Sequence, residues 1–228
     1  MVKVVIIGSG NVAQHLIVAF QNAQNSGTEI ELVQVYSRQT ASVAHLLGLE
    51  QLTNNLDDLA EADLYIIAVS DDAIAAVSSQ LPFKNRLVVH TSGGVALNVL
   101  NDDNRKGVFY PLQSFTKNKP IDFKTIPICL ESENATDYQL LDKVAKTISD
   151  TVFAINSEQR KALHVAAVFV NNFTNHLYQI GQEICLEKKV LFGILKPLIA
   201  ETADKIMVLS PKEAQTGPAK RNDTATIE

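Results

Sequence analysis

Apolar residues fall into short runs separated by polar, glycine-containing breaks, and the period of those runs changes once along the chain. Val2, Val4, Val5, Ile6 and Ile7 form an apolar run interrupted only by Lys3, the pattern of a parallel strand covered on both faces. It ends at Gly8-Ser9-Gly10-Asn11, and a helical pattern through Leu16, Val18, Ala19 and Phe20 runs to a polar break at residues 25–28. The same reading predicts strands at 30–36, 64–69, 86–90, 106–110, 125–130 and 151–155. Helices are predicted at 42–47, 57–62, 73–79 and 135–149. Strand and helix in alternation imply an α/β fold with a doubly wound, mainly parallel sheet.

Beyond Asn156 the texture changes. Ser157 opens a helix-favouring stretch with no Gly before Gly181 and no Pro before Pro197. Ser157-Glu158-Gln159-Arg160 reads as a helix start that lacks the acid of a capping box. The pattern predicts an α/β domain over 1–156 and an all-helical domain over 157–228. The final residues, from Asp223 to Glu228, read as the first turn of another helix, and a continuation in the natural protein is expected.

Composition narrows the function classes. With 228 residues, 46% hydrophobic and 20% charged, the chain suits a globular protein with a substantial core. A net charge of -5 and the lack of a basic stripe argue against a nucleic-acid partner. No run approaches the ~18 apolar residues of a membrane span, and no secretory leader pattern opens the chain. Cys129 and Cys185 lie far apart, without zinc-ligand spacing, so we expect reduced thiols, no metal site and a cytoplasmic protein.

The candidate chemistry begins at the first strand's end. Gly8-x-Gly10-x-x-Ala13 follows a strand and opens a helix, as in the dinucleotide loop of Rossmann folds. There the first glycine allows the tight turn, the second admits the pyrophosphate, and the small third residue lets helix pack on strand. Gly8, Ser9, Gly10, Asn11, Val12 and Ala13 are therefore candidate cofactor contacts; the alternative is a glycine-rich turn without ligand. NAD-binding sheets usually place an acid at the end of the second strand, but Tyr36-Ser37-Arg38-Gln39-Thr40 supplies none. Arg38 can fork onto a 2'-phosphate, with Ser37 beside it, which favours NADP (NADPH) over NAD. A solvated surface arginine is the other reading. Val69-Ser70 and Thr91-Ser92 follow later strands on the same sheet edge and are candidates for the nicotinamide half, or equally for helix caps.

In the helical part, a regular helix with about 100° per residue brings His164, Asn171, Asn175 and Tyr178 within about 40° of one line. Residues 165–170 are apolar all round, which predicts a buried helix whose polar groups need partners. His164, Asn171 and Asn175 are the candidate catalytic residues, with His164 moving a proton during hydride transfer. Amides bridging neighbouring helices and a satisfied core histidine remain the plain alternatives. Gln113, in Tyr110-Pro111-Leu112-Gln113-Ser114-Phe115, is a candidate substrate wall. Arg221, in Gly217-Pro218-Ala219-Lys220-Arg221-Asn222-Asp223, is a candidate ligand for an anionic group such as a carboxylate, oriented by Asp223. An ordinary interhelical loop explains that segment equally well.

Together these segments resemble a bacterial family of Rossmann-fold proteins, assigned as oxidoreductases, whose C-terminal half is domain of unknown function 2520. The resemblance rests on residues 7–13, 110–115 and 217–224 and on His164-Val165-Ala166-Ala167-Val168-Phe169-Val170-Asn171-Asn172-Phe173. The family is similar in layout to pyrroline-5-carboxylate reductases, ketopantoate reductases and beta-hydroxyacid dehydrogenases. It implies an NADP-binding fold, a helical domain like that of 6-phosphogluconate dehydrogenase, and a homodimer formed through those helices. Beta-hydroxyacid dehydrogenases carry a lysine four residues before the helix asparagine. Here Ala167 stands four before Asn171, which leaves His164 as the substitute. Two functions follow. One is an NADP-dependent oxidoreductase that transfers a hydride between the nicotinamide and a small, anionic carbonyl or imine. The other is a non-catalytic NADP(H)-binding sensor or dimeric scaffold.

Overall fold

The computed structural model describes residues 1–117, 119–221 and 223, with Ala219 and Arg221 described by backbone alone. The chain divides into two compact units, Met1–Val168 and Phe169–Glu228. The composition change at residue 156 and the contact boundary at 168 do not coincide, because the first long helical segment packs with the sheet.

The first unit is built on one eight-stranded sheet, in the order β3-β2-β1-β4-β5-β6-β7-β8. Its strands are β1 (Val2–Ile7), β2 (Ile30–Tyr36), β3 (Leu52–Thr53), β4 (Leu64–Ile67), β5 (Leu87–His90), β6 (Arg105–Pro111), β7 (Ile128–Ser132) and β8 (Val152–Ala154). The pairs from β3 to β6 are all parallel; β6 and β7 are antiparallel, and β8 is parallel to β7. The mainly parallel, doubly wound reading therefore stands. β1 lies between β2 and β4, so the strand order reverses there and opens a crevice at the carboxyl ends.

Burial on both faces explains the apolar runs. Val4, Ile6, Leu64, Ile66 and Val89 face one side and pack with Leu16, Phe20 and Phe109, while Val5, Ile7, Tyr65 and Val88 face the other. Helices α1 (Asn11–Asn25), α2 (Ile74–Ser79) and α3 (Ala135–Ile148) cover the sheet, and α4 (Ser157–Ala167) closes the unit. Asn134 caps α3 by accepting from the Asp137 N–H. The predicted helices at 42–47 and 57–62 do not form. Their places hold short 3-10 turns at Thr40–Ser42 and Leu56–Asp58, and Val43 and Leu47 pin the first stretch to the core. So few residues close too few hydrogen bonds to repay helix nucleation. The capping box missing from the sequence reading is present one residue earlier: Asn156 is the N-cap and Gln159 answers it, each side chain accepting the other's N–H at 2.9 Å.

The second unit contains α5 (Thr174–Glu187), α6 (Lys196–Val208), α7 (Pro211–Ala214) and α8 (Pro218–Arg221). A π-helical segment, Val168–Phe173, precedes α5. The expectation of a buried helix is overturned, since Val165, Phe169 and Val170 are exposed, Val170 to 72%. No described helix is long and apolar enough to cross a membrane.

Candidate active site

The glycine loop is held from three sides. Gly8 has φ +138, and a Cβ there would lie 2.1 Å from the Ala68 carbonyl oxygen, so only glycine fits between β1 and β4. Its N–H donates to the Tyr36 carbonyl at 2.9 Å. Gln14, buried in α1, donates through Nε2 to the Ser9 carbonyl at 2.9 Å, and Asn11 donates through Nδ2 to the Phe115 carbonyl at 3.0 Å. Ala13 is fully buried under the helix start.

What remains open is the helix end itself. No side chain caps α1, and no acid lies in its first turn. Gly10 is its N-cap, with extended backbone angles that any residue can adopt, and a Cβ there would meet nothing within 4 Å. Uncapped N–H groups and the positive end of a fifteen-residue helix form a cradle for an anion. The geometry fits a pyrophosphate approaching Gly10, in the space that a larger residue would fill.

At the end of β2, Ser37 is buried, and its hydroxyl oxygen accepts from the Gln39 N–H at 3.1 Å. Ser37 thus shapes the turn that presents Arg38. Arg38 is exposed, and no hydrogen bond or ion pair engages its guanidinium among the described residues. Val69 is half-buried against Gly8, and Ser70 is exposed as the N-cap of a 3-10 turn. Thr91 and Ser92 are both buried after β5. The Ser92 hydroxyl oxygen accepts from the N–H groups of Gly94 and Val95 at 3.1 and 3.0 Å, so its role is to fold the loop.

A second cluster faces that loop, and much of it escaped the sequence reading. Arg160 of α4 is fully buried (0% exposed) and pairs with Glu131 of β7. It also donates to the Val95 carbonyl at 2.6 Å and to Ser157 Oγ at 3.1 Å. Ser157 in turn donates its N–H to Glu131 at 2.9 Å. These bonds dock α4 on the sheet, and one helical turn later His164 arrives over residues 93–94. Its Nδ1 lies 3.2 Å from the Tyr110 hydroxyl. A Cβ on Gly93 would come within 2.6 Å of that nitrogen and 2.8 Å of that hydroxyl. Burial pushes the Tyr110 phenol up to about 12; nearby Cys129 and Asp71 act in the same direction and Arg160 against it. His90, at the end of β5, accepts the Ser92 N–H on Nδ1 at 3.1 Å, and burial together with Arg160 holds its pKa down at about 4. The missed signal was Arg160 itself, which lies four residues before His164 on one helix face.

The line drawn through His164, Asn171 and Asn175 crosses a π-helical segment, Val168–Phe173. It assumed a regular α-helix, and the π-helical segment widens the turn between them. Asn171 and Asn175 are exposed residues of the second unit, and Asn171 bonds only Asn172, at 3.4 Å, among the described residues. Gln113 is exposed, and its side chain accepts from the neighbouring Ser114 N–H at 2.8 Å. Arg221 ends α8, and its side chain lies outside the described residues, as does Asn222; the Asp223 N–H donates to the Pro218 carbonyl at 3.0 Å. No group of His, Cys, Asp or Glu among the described residues is arranged to hold a metal. A cavity of about 620 Å³ between α1 and residues 119–124 is lined by none of these candidate residues.

Comparison with known proteins bears directly on this arrangement. A crystal structure of a "putative NADP oxidoreductase" from Bacteroides fragilis is 39% identical, covers 99% of this chain and 88% of its own, and superposes with a TM-score of 0.86. The chain belongs to that NADP oxidoreductase family. Residues 3–94 match the family model described as NADP oxidoreductase coenzyme F420-dependent, and residues 126–228 match domain of unknown function 2520. A protein of Thermotoga maritima is 22% identical, covers 98% of this chain and 87% of its own, and has a TM-score of 0.80. A pyrroline-5-carboxylate reductase from Streptococcus pyogenes, 16% identical over 98% of this chain and 84% of its own, shares the fold at a TM-score of 0.67. The curated proteins gave no match. The NADP oxidoreductase family model ends at Gly94, so it spans the glycine loop, Arg38 and the Ser92 loop. Tyr110 lies outside both models, and Arg160 and His164 fall in the half whose function is unknown.

Proposed function

We propose that the chain works as a cytoplasmic NADP-dependent oxidoreductase acting on a small, anionic carbonyl or imine. The observation that carries the reading is the uncapped start of α1 beneath the open face of Gly10, with the unpaired Arg38 at the end of the neighbouring strand. The α1 N–H groups hold the pyrophosphate, and Arg38 forks onto the 2'-phosphate that distinguishes NADPH from NADH. The bound dinucleotide supplies the hydride. His164 donates a hydrogen bond to the oxygen or nitrogen of the substrate as the adjoining carbon takes the hydride, and solvent supplies the proton that completes the reduced product. The fold likeness to pyrroline-5-carboxylate reductases supports an imine or carbonyl as the reacting group. Asn171, Asn175 and Arg221 take no part in the steps drawn here.

The same reading includes a homodimer. Phe173, Leu177, Ile180 and Ile184 recur at spacings of four, three and four, and they are 50, 64, 40 and 58% exposed. That is the seam spacing of packed helices, and a second copy is the occupant that supplies a matching stripe.

The test is a titration of wild type and Arg38→Ala with NADPH and NADH. NADPH should bind at least tenfold tighter (about 1.4 kcal/mol), and Arg38→Ala should erase the difference. Failure of both nucleotides to bind would end the oxidoreductase reading. Binding without turnover of any carbonyl or imine, unaffected by His164→Ala, would leave the non-catalytic sensor.

A further inference from the structure

We infer that Tyr110 is a positioning residue that fixes the neutral His164 ring with its proton on Nε2, so that the site presents a hydrogen-bond donor to its substrate. The inference rests on the reading of His164 as the residue that meets the reacting group. Tyr110 Oη and His164 Nδ1 are 3.2 Å apart, with the rings edge to face at 66°. The phenol is nearly buried and has no other hydrogen-bond partner among the described residues. A buried hydroxyl proton left unpaired is costly, so the phenol donates and Nδ1 accepts. If Nδ1 carried the proton instead, two hydrogens would compete for one contact.

Its surroundings keep that assignment. The phenol stays protonated through the working range, since burial pushes its pKa up to about 12. Gly93 closes against the pair with no room for a Cβ, and Tyr110 belongs to an apolar cluster with Val108 and Cys129, against which Leu163 and Ile155 pack. Upstream, the Arg160–Glu131 pair fixes the turn of α4 that carries His164. Nε2 has no partner among the described residues, and the ring is half-buried.

The tautomer names the matching chemistry. A ring with Nε2–H offers a donor, which suits an atom that can only accept, such as a carbonyl oxygen or an unprotonated imine nitrogen. A ring with Nδ1–H would offer an acceptor, suited to pulling the proton from an alcohol or amine. With the ring neutral, the resting site is therefore built to receive the oxidised form of its substrate.

Nitrogen NMR of histidine-labelled protein tests this without any substrate. The chain has five histidines, and His164→Gln identifies the signals of His164. At about pH 8.5, above the ordinary histidine range, wild type should show a pyridine-type Nδ1 and a pyrrole-type Nε2. In Tyr110→Phe the ratio of the two tautomers should fall about tenfold. A pyrrole-type Nδ1 in wild type overturns the inference whether or not the variant folds, and so does an unchanged ratio in a folded Tyr110→Phe. The spectra are recorded without nucleotide, so this outcome is separate from the NADPH titration that tests the cofactor reading.

Discussion

Replacing Arg160 by Met tests whether one buried ion pair docks the first helix of the C-terminal half onto the sheet. The substitution keeps the aliphatic stem and removes a guanidinium that is 0% exposed, whereas the Glu131 side chain retains 16% exposure. Breaking a buried pair by removing one partner costs about 3–5 kcal/mol. The low end applies, because Glu131 keeps its bonds from the N–H and hydroxyl of Ser157. The Val95 carbonyl also loses its donor at 2.6 Å, worth about 1 kcal/mol. We expect a net loss of about 3–4 kcal/mol, which lowers the urea midpoint by about 1.5–2 M for a slope near 2 kcal/mol/M. The assay is urea unfolding followed by far-ultraviolet circular dichroism at several protein concentrations, so that association and folding are separated. The double variant Arg160→Met with Glu131→Gln removes the stranded charge but keeps an oxygen for Ser157, and should recover at least half of the loss. A cost below about 1 kcal/mol for the single variant, or a double variant no better than the single, would refute the pairing argument.

Three further outcomes follow from particular contacts. Gly10→Ala places its Cβ in open space with allowed backbone angles; its melting temperature should match wild type while NADPH affinity drops tenfold or more (about 1.4 kcal/mol). A parallel loss of stability would show that the position is structural. His90 has its pKa held at about 4 in the folded protein against an ordinary 6.5. Its stabilising contribution is thus complete above about pH 6.5 and is lost as pH falls toward 4. Unfolding at pH 5 and pH 7 should therefore differ by about 2 kcal/mol from this residue, and His90→Asn should abolish that share of the difference. Leu177→Asp together with Ile184→Asp should turn a dimer into monomers in analytical ultracentrifugation; an unchanged sedimentation coefficient would remove the α5 stripe from the interface.

The alternation of strand and helix, the glycine loop and the basic end of β2 were legible in the sequence because each depends on local pattern. A strand buried on both faces must be apolar throughout, and a turn with φ +138 must be glycine. Arg38 was legible because the acid usual at that position is missing. The sequence could not show that the helix beginning at Ser157 belongs to the first unit, since that depends on Glu131 and Val95, 29 and 65 residues from Arg160. It could not show the π-helical segment either, and a line drawn at constant angle therefore joined His164 to Asn171 and Asn175. The pairing of Tyr110 with His164 spans 54 residues, and Gly93 reads as an ordinary loop glycine until both rings are in place. Local periodicity fixes which residues are strand, helix or turn. Only the packing of distant segments decides which polar group meets which, because a buried polar atom takes its partner from wherever the chain returns.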